Sequence, residues 1–438
     1  MIITDITNYI NALDLISSEY GIIKYLIGPM RQSSDPKAIS YGVDTADITK
    51  LAPKETYPHS AAVKLKSSGC GFNNEMALMS TIGEVIERYC ATIFDENEII
   101  KNSYSEVSEF SIDIGEYALF HSKQYSEPHF ELIPFTPDVE IAWVNTIDLT
   151  NGKEVLCPAQ LIYLGYTKDS NHINFPTSTG LACHSDPYQA ILNCLYESVE
   201  RDSFTITWEN EIVPPKIIID HSIQKFIDQF FPVKYEWHFF NMTYDIFLPT
   251  VLCLCFGKSD FGDFVVVSAA TRSNFSSAIK KAILEAAQGI PFLRWQLDER
   301  RDWNPKTFSE ITSFEEHPLF YHKNKKIWTV FDKYRKAIPT QEHVIVKPNE
   351  INTQDEVARI IKMFKDKGYN VLYKDLTTPD IKAKNFYVIK TYIPQLIQLG
   401  GVYPYYYRGG KRLYSVPSKC GYIKKEYEQL NPIPHPFP

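Results

Sequence analysis

The amino-acid sequence predicts an α+β fold with mixed or antiparallel sheets. Several segments carry apolar residues at helical spacing, and pairs of strands lie between them along the chain. Because the helices stand between hairpins rather than after every single strand, a doubly wound parallel sheet is not expected. The predicted helices span residues 75–92, 187–208, 277–296 and 354–367.

The predicted strands form two hairpins and one later strand. The pair Asn151-Gly152 between two apolar runs is a strong signal for a tight hairpin turn. The first hairpin is predicted at residues 141–149 and 154–163, the second at 249–256 and 264–271, and the later strand at 370–376.

Composition places the chain among globular proteins. Of 438 residues, 44% are hydrophobic and 22% are charged, and the formal charge is −8 with no long run of one sign. This balance argues against wholesale disorder and against a dedicated nucleic-acid-binding protein. The longest apolar stretch, residues 246–256, is too short to span a bilayer, and the N-terminus has no basic leader. The eight cysteines contain no CxxC pair, so we expect a cytoplasmic protein with reduced thiols and no structural zinc site.

The chain is predicted to divide into a short N-terminal segment and one long domain. Residues 1–60 are predicted to be a helical and connecting segment, with amphipathic helices up to residue 30 and a polar stretch after it. Residues 61–438 are predicted to form a single compact domain that ends in a proline-rich tail, residues 431–438.

The string ExxER occurs twice, once on each of the first two predicted helices. At about 3.6 residues per turn, the polar residues of each string fall along one side of its helix. These residues are Ser80, Glu84, Glu87 and Arg88 on the first helix, and Asn193, Glu197, Glu200 and Arg201 on the second.

Two interpretations of the ExxER helices are open from the residues alone. Each string is compatible with a solvated helix face that carries weak i,i+4 ion pairs. The flanking positions are apolar nearly all round, however, which is typical of buried helices. Buried charges need a partner charge, and carboxylates beside arginines suit a magnesium-bound polyphosphate. The third helix adds Glu285, Gln288 and Arg294 as candidates for the same pocket.

The tail has proline at 432, 434, 436 and 438. By composition it is compatible with a disordered end or a polyproline ligand. A stiff polyproline II segment also loses little entropy on ordering, so it can place a terminal carboxylate accurately.

The two ExxER helices, the SerThrGlyLeuAla stretch at residues 178–182 and the proline-alternating C-terminus resemble the YcaO family. More narrowly, they resemble the azoline-forming cyclodehydratases of the D-protein type, which act in the biosynthesis of thiazole/oxazole-modified microcins and related peptides. The resemblance implies a YcaO-type catalytic domain over residues 61–438, with buried helices that line an ATP site. It also implies ATP and Mg²⁺ as cofactors. A Cys, Ser or Thr side chain of a precursor peptide would attack the preceding carbonyl, whose oxygen is phosphorylated and leaves as phosphate.

The resemblance also implies roles for individual residues. The SxxxExxER motif falls on Ser80, Glu84, Glu87 and Arg88, and the NxxxE motif on Asn193 and Glu197, followed by Glu200 and Arg201. All of these are implied to bind nucleotide, the four glutamates to bind magnesium, and Glu87 and Glu200 to take part in catalysis. Pro438, through its terminal carboxylate, is a further catalytic candidate.

The sequence departs from the family pattern at three places. The asparagine of the family's SerAsnGly is replaced by Thr179. A lysine usually stands between glycines before the first helix, whereas this chain has Cys70 there, with Lys66 as a nearby substitute. The family's QxxR is absent because Pro291 follows Gln288 at the arginine position, so Arg294 or Arg272 is expected to supply that charge.

Because few residues precede the matching region, we expect a separate partner of the E1-like or leader-recognition type. A flavin dehydrogenase and a second copy of the chain are further candidate partners, while no nucleic acid or membrane is expected. Two alternative functions stay open. One is thioamide or amidine formation by the same activation, and the other is a scaffold subunit that does not turn over ATP.

Overall fold

The computed structural model describes residues 6–28, 31–47, 67–342 and 351–438. Within these ranges the helices, numbered in chain order, are α1 (Ile6–Leu13), α2 (Asn74–Thr92), α3 (Tyr104–Val107), α4 (Ala159–Ile162), α5 (Pro187–Glu209), α6 (His221–Phe230), α7 (Phe275–Glu299), α8 (Glu316–Lys323), α9 (Asp332–Arg335), α10 (Thr353–Asp366), α11 (Pro379–Lys382) and α12 (Lys411–Lys419).

The strands are numbered in the same way. They are β1 (Ile23–Ile27), β2 (Ile39–Thr45), β3 (Ser68–Gly71), β4 (Ile100–Ser103), β5 (Glu140–Asp148), β6 (Lys153–Pro158), β7 (Leu181–His184), β8 (Lys216–Ile218), β9 (Glu236–Asn241), β10 (Thr250–Ser259), β11 (Gly262–Thr271), β12 (Pro339–Glu342), β13 (Leu372–Asp375) and β14 (Tyr387–Tyr392).

These strands form three sheets. The smallest has the order β1-β2-β3, the second has the order β11-β10-β9-β8-β12, and the third has the order β4-β5-β13-β14-β7 with β6 also paired to β5. The ladders are antiparallel apart from the parallel pair of β8 and β12. The predicted α+β class with mixed and antiparallel sheets is therefore confirmed.

Helix α5 lies between the two larger sheets. It contacts β7 and β14 on one side and β10 and β11 on the other. Helix α2 packs against β3, β7 and β14, and α7 packs against β3, β10 and β11. Helices α2 and α5 therefore share β7 and β14, and α5 and α7 share β10 and β11. The prediction that the ExxER helices are buried is confirmed most clearly for α5, which is buried at every position from Asp202 to Glu209.

Side-chain caps explain where these helices begin. Asn73 accepts a hydrogen bond from the backbone N–H of Met76 at the start of α2, and Asp186 caps α5 just before Pro187. Asn274 caps α7 in the same way. These caps satisfy backbone donors that a helix start leaves unpaired, so the local sequence defines each start closely.

The N-terminal prediction is wrong in part. Residues 6–13 form the helix α1, but residues 23–27 and 39–45 are strands rather than helix and connecting chain. Their conformation depends on pairing, because β2 bonds to β1 on one edge and to β3 on the other. The predicted boundary between residues 60 and 61 lies outside the described residues, and the strands on its two sides are neighbours in one sheet.

The first hairpin is confirmed at its turn and corrected at its end. Gly152 has φ of +75°, as a tight Asn-Gly turn requires. The second strand, however, ends at Pro158 rather than residue 163, and the short helix α4 follows it. In the part of the chain that the structure describes, no helix has both the length and the apolar character to cross a membrane.

Candidate active site

Helix α2 presents its ExxER residues in a half-buried recess. The Glu84 carboxylate accepts hydrogen bonds from Arg88 Nη2 at 2.9 Å and Arg88 Nε at 3.2 Å. Its other oxygen accepts from the backbone N–H of Ser68 on β3 at 3.3 Å. Ser80 lies about one turn earlier and is exposed. The i,i+4 ion pair of the solvated-face interpretation is therefore present, and Glu84 in addition ties α2 to a neighbouring strand.

Helix α5 presents its residues toward the same region. Glu197 accepts a hydrogen bond from the backbone N–H of Gly180 at 2.9 Å. Glu200 is 6% exposed and accepts from the backbone N–H of Thr271 at 3.3 Å. Arg201 lies between the two carboxylates, at 3.6 Å from Glu197 and 3.9 Å from Glu200. Asn193 accepts a hydrogen bond from Gln189 on its own helix.

Carboxylates of three helices influence one another electrostatically. Burial raises the pKa of Glu87 well above its usual value, and the charges of Glu197 and Glu84 raise it further. Burial also raises the pKa of Glu200 to about 8, and the charge of Glu285 on α7 is the second cause of this increase. The structure thus brings glutamates of α2, α5 and α7 into one site. We call Glu84, Glu87, Glu197, Glu200 and Glu285 the acidic cluster.

Two residues of α7 that the sequence singles out behave differently. Gln288 donates a hydrogen bond to the Ser68 hydroxyl at 3.0 Å, which places it beside the acidic cluster. Arg294 instead donates to the carboxylates of Asp35 and Asp260, at 2.8 Å each. The placement of Arg294 in the nucleotide pocket is therefore wrong, because two acids hold it elsewhere. Lys66 lies outside the described residues.

Arg272 follows β11 directly and replaces Arg294 as the arginine near the acidic cluster. Its positive charge lowers the pKa of Glu200, against the effect of burial. In the described part of the chain it forms no ion pair with a carboxylate: its guanidinium donates to the Thr271 carbonyl and lies 5.7 Å from the centroid of the Tyr196 ring. It is thus available to an anionic ligand.

The C-terminal tail packs along α5 and reaches the same site. Trp208 donates to the carbonyl of Ile433 at 2.8 Å, and Tyr321 donates to that of Pro434 at 2.6 Å. His435 is buried, and its ring stacks on that of His317 with centroids 3.9 Å apart. The disordered alternative for the tail is therefore wrong.

The end of the tail lies against an ExxER arginine. The Phe437 ring is 3% exposed, and its centroid lies 4.6 Å from Cζ of Arg201. Pro438 follows it and is exposed. Arg201 Nε is buried and has no hydrogen-bond partner among the described residues. Phe437 thus contacts a guanidinium that also lies within ion-pair distance of Glu197 and Glu200.

The residues of the site fit a magnesium nucleotide better than a bare metal ion. In the part of the chain described, no three Asp, Glu, His or Cys side chains lie close enough to hold a metal by themselves. Magnesium is commonly held by one or two carboxylates together with phosphate oxygens and water. Burial raises the pKa of Glu87 and of Glu200 in the acidic cluster and neighbouring glutamates raise both further, while Arg88, Arg201 and Arg272 supply positive charge beside them.

Sequence reasoning missed several contributors to the site. Ser68 links Glu84 to Gln288, the backbone of Gly180 binds Glu197, and Phe437 contacts Arg201. The backbone contacts leave no signal in a sequence. Phe437 could have been identified from the sequence, because it directly precedes Pro438, whose terminal carboxylate was already a candidate.

Fold and site together define an α+β protein in which glutamates of α2, α5 and α7 lie beside Arg88 and Arg201. The chain belongs to the YcaO family, because residues 68–397 match the family model described as YcaO cyclodehydratase, ATP- and Mg²⁺-binding.

Individual relatives are distant in sequence. A Rhizobium leguminosarum bv. trifolii protein, described as an uncharacterized protein in the tfuA 3′ region, is 24% identical over 269 residues. That match covers 58% of this chain, which spans 61% of the length of that relative.

Solved structures share the fold. A heterocyclase in complex with substrate and cofactor matches 98% of this chain with a TM-score of 0.76 and 20% identity, and this chain spans 57% of its length. YcaO from Methanopyrus kandleri, bound with AMPPCP and Mg²⁺, matches with a TM-score of 0.61 and 14% identity, covering 90% of this chain and 89% of that one.

Proposed function

We propose that this chain is an ATP-dependent cyclodehydratase. It converts Cys, Ser or Thr residues of a ribosomally synthesised precursor peptide to thiazoline or (methyl)oxazoline, and releases ADP and phosphate. The observation that carries the proposal is the convergence of carboxylates from α2, α5 and α7 beside Arg88 and Arg201. Membership of a family described as ATP- and Mg²⁺-binding supports it.

The proposed reaction depends on charge stabilisation. An amide oxygen is a poor leaving group until it is phosphorylated, and ATP with Mg²⁺ supplies that activation. The protein's task is to position the reacting groups and to stabilise charge on the phosphoryl oxygens. Glu84, Glu87, Glu197 and Glu200 are proposed to hold magnesium.

The remaining polar residues are proposed to bind the nucleotide. Arg88 and Arg201 bind phosphate oxygens, because a guanidinium offers several N–H donors in a fixed plane. Ser80, Asn193 and Gln288 bind the nucleotide from the three helices. Arg272 takes the role that the sequence offered to Arg294.

Proton transfer is proposed to involve the two glutamates with raised pKa values. A carboxyl that titrates near neutral pH can both accept and donate a proton at the working pH. Glu200, with its pKa raised to about 8 by burial, has this property, and burial raises the pKa of Glu87 in the same direction. The carboxylate of Pro438, next to Phe437, is proposed to orient the substrate or share its protons.

The proposed partners follow from the proposed chemistry. We propose that a separate protein of the E1-like or leader-recognition type presents the precursor peptide to this chain. A flavin dehydrogenase is proposed to act later on the rings, and a second copy of the chain remains a further candidate partner.

The test combines the purified chain, its precursor peptide and partner protein, ATP and Mg²⁺. Phosphate release should accompany loss of the mass of one water from the peptide for each ring. Glu84→Ala and Glu197→Ala should abolish both signals while the circular dichroism spectrum stays that of the wild type. Glu75→Ala, on the first turn of α2, is the matched control and should be active. Normal turnover in both site variants would refute the assignment.

A further inference from the structure

A buried lysine lies beneath the acidic cluster. Lys390 stands on β14, the strand that contacts both α2 and α5, and is 1% exposed. Its Nζ donates hydrogen bonds to the carbonyls of Thr177 at 2.9 Å and Thr179 at 2.8 Å. Lysine is rarely buried to this extent without a partner charge. The position of Lys390 therefore calls for an explanation.

The partner charges of Lys390 are the glutamates above it. In the described part of the chain it forms no direct ion pair, but the charges of Glu197 and Glu87 act on it and oppose the effect of burial on its pKa, which is lowered to about 8. Lys390 thus compensates negative charge of the cluster at a distance, while its N–H donors are used on backbone carbonyls.

The segment that Lys390 holds also binds Glu197. The backbone N–H of Gly180 donates to Glu197 at 2.9 Å, while the Gly180 carbonyl accepts from the N–H of Thr391 at 2.7 Å. Gly180 has φ of +77°, and a Cβ there would lie 2.3 Å from the Thr391 carbonyl oxygen. Residues 177–180 are therefore fixed by two consecutive residues of β14, and the Gly180 N–H points at the carboxylate.

We propose that Lys390 is a positioning residue for Glu197. It fixes residues 177–180, so that the Gly180 N–H orients the Glu197 carboxylate, and its charge offsets the negative charge gathered there. This inference rests on the proposed role of Glu197 in holding magnesium. Partners that orient a metal-binding side chain commonly affect metal affinity although they do not touch the metal.

The test compares Lys390→Met with Lys374→Met. Lys374 is directly opposite Lys390 on β13, but its ammonium pairs with Glu98 at 2.8 Å, so it controls for loss of a lysine from this sheet. Binding of ATP is measured by calorimetry with and without Mg²⁺. Lys390→Met should weaken the magnesium-dependent binding by about 10- to 100-fold and leave metal-free ATP binding within about twofold of the wild type. Lys374→Met should match the wild type in both.

A second measurement requires no nucleotide. Hydrogen exchange of the Gly180 amide should be slow in the wild type and in Lys374→Met, and at least about tenfold faster in Lys390→Met. Lys390→Gln, which keeps amide donors, replaces the methionine variant if that variant does not fold. If neither variant folds, the exchange rate of the Gly180 amide in the wild type tests the inference. A rate like that of an exposed loop would overturn it.

The two proposals fail in different ways. If the wild type does not bind magnesium ATP, the proposed function is wrong, whereas the exchange experiment still reports on the positioning of residues 177–180. If the wild type binds and folded Lys390→Met binds equally well with an equally protected Gly180 amide, the inference on Lys390 is wrong and the proposed function stands.

Discussion

The contact between Phe437 and Arg201 leads to a quantitative prediction for Phe437→Leu. The ring centroid lies 4.6 Å from the guanidinium carbon, and the same ring packs 4.7 Å from that of Phe204. Leucine retains apolar packing on Phe204 but has no π face for the cation. The substitution therefore removes the contact to Arg201 while the tail keeps its hydrogen bonds through Ile433 and Pro434.

The magnitude follows from the burial of the pair. Cation–π contacts contribute about 0.5–1 kcal/mol at exposed sites and about 2 kcal/mol when desolvated. The Arg201 side chain is 20% exposed and Phe437 is 3% exposed, so the contact lies toward the upper part of that range. With about 1.4 kcal/mol per tenfold change, a loss of about 1–2 kcal/mol corresponds to roughly 5- to 30-fold.

The expected result is an ATP dissociation constant about 5- to 30-fold higher in Phe437→Leu, because the Arg201 guanidinium is no longer held in place by the ring. Titration calorimetry with magnesium ATP measures it. Phe437→Tyr, which keeps the ring, is the control and should bind within about threefold of the wild type. The reasoning is refuted if folded Phe437→Leu binds like the wild type, or if the tyrosine variant is impaired to the same extent.

Three further predictions follow from the site. Burial raises the pKa of Glu200 from 4.5 to about 8. Between these two pH values the folded chain keeps a proton on Glu200 that the unfolded chain has lost, so the free energy of unfolding falls as the pH rises. Urea unfolding in metal-free buffer should therefore show Glu200→Gln gaining stability relative to the wild type between about pH 5 and pH 8, whereas a constant difference would mean an ordinary pKa. Arg294→Ala should lower the free energy of unfolding by about 3 kcal/mol, because it leaves the buried Asp35 carboxylate without its ion-pair partner. The variant should bind ATP normally, and a large loss of ATP affinity would instead assign Arg294 to the nucleotide site. Deletion of residues 436–438 also removes the Phe437 ring and should raise the ATP dissociation constant by about 5- to 30-fold, as in Phe437→Leu. It should reduce azoline formation, followed by mass spectrometry, by a larger factor, and equal losses would make the tail structural.

The helices were predictable because their signals are local. Residues 75–92 were predicted for a helix that the structure places at Asn74–Thr92, since the Asn73 cap and the apolar flanks lie within the segment itself. The strands β1 and β2 were not predictable, because their partners lie elsewhere in the chain. Strand preference depends on cross-strand neighbours more than on the segment itself.

The site was predictable in its glutamates but not in its supporting charges. Gln288 and Arg294 stand on one helix, and only the distant Asp35 and Asp260 decide that Arg294 lies elsewhere. Lys390 stands on a strand with no motif, and a lysine is expected at the surface. Its proximity to Glu197 arises only when β14 comes to lie beside α5.

The three-stranded sheet of β1, β2 and β3 has a consequence for the design of truncated forms of the protein. A fragment cut at the limits of the family match, residues 68–397, would begin at β3 and lose both β1 and β2. Strand β3 would then have no pairing partner, although its Ser68 N–H donates the hydrogen bond to the Glu84 carboxylate. At the other end it would discard Arg412, the guanidinium that neutralises the buried Asp202 of α5. Expression of that fragment alone should yield insoluble material, so truncation studies need to retain residues from α1 onward through α12.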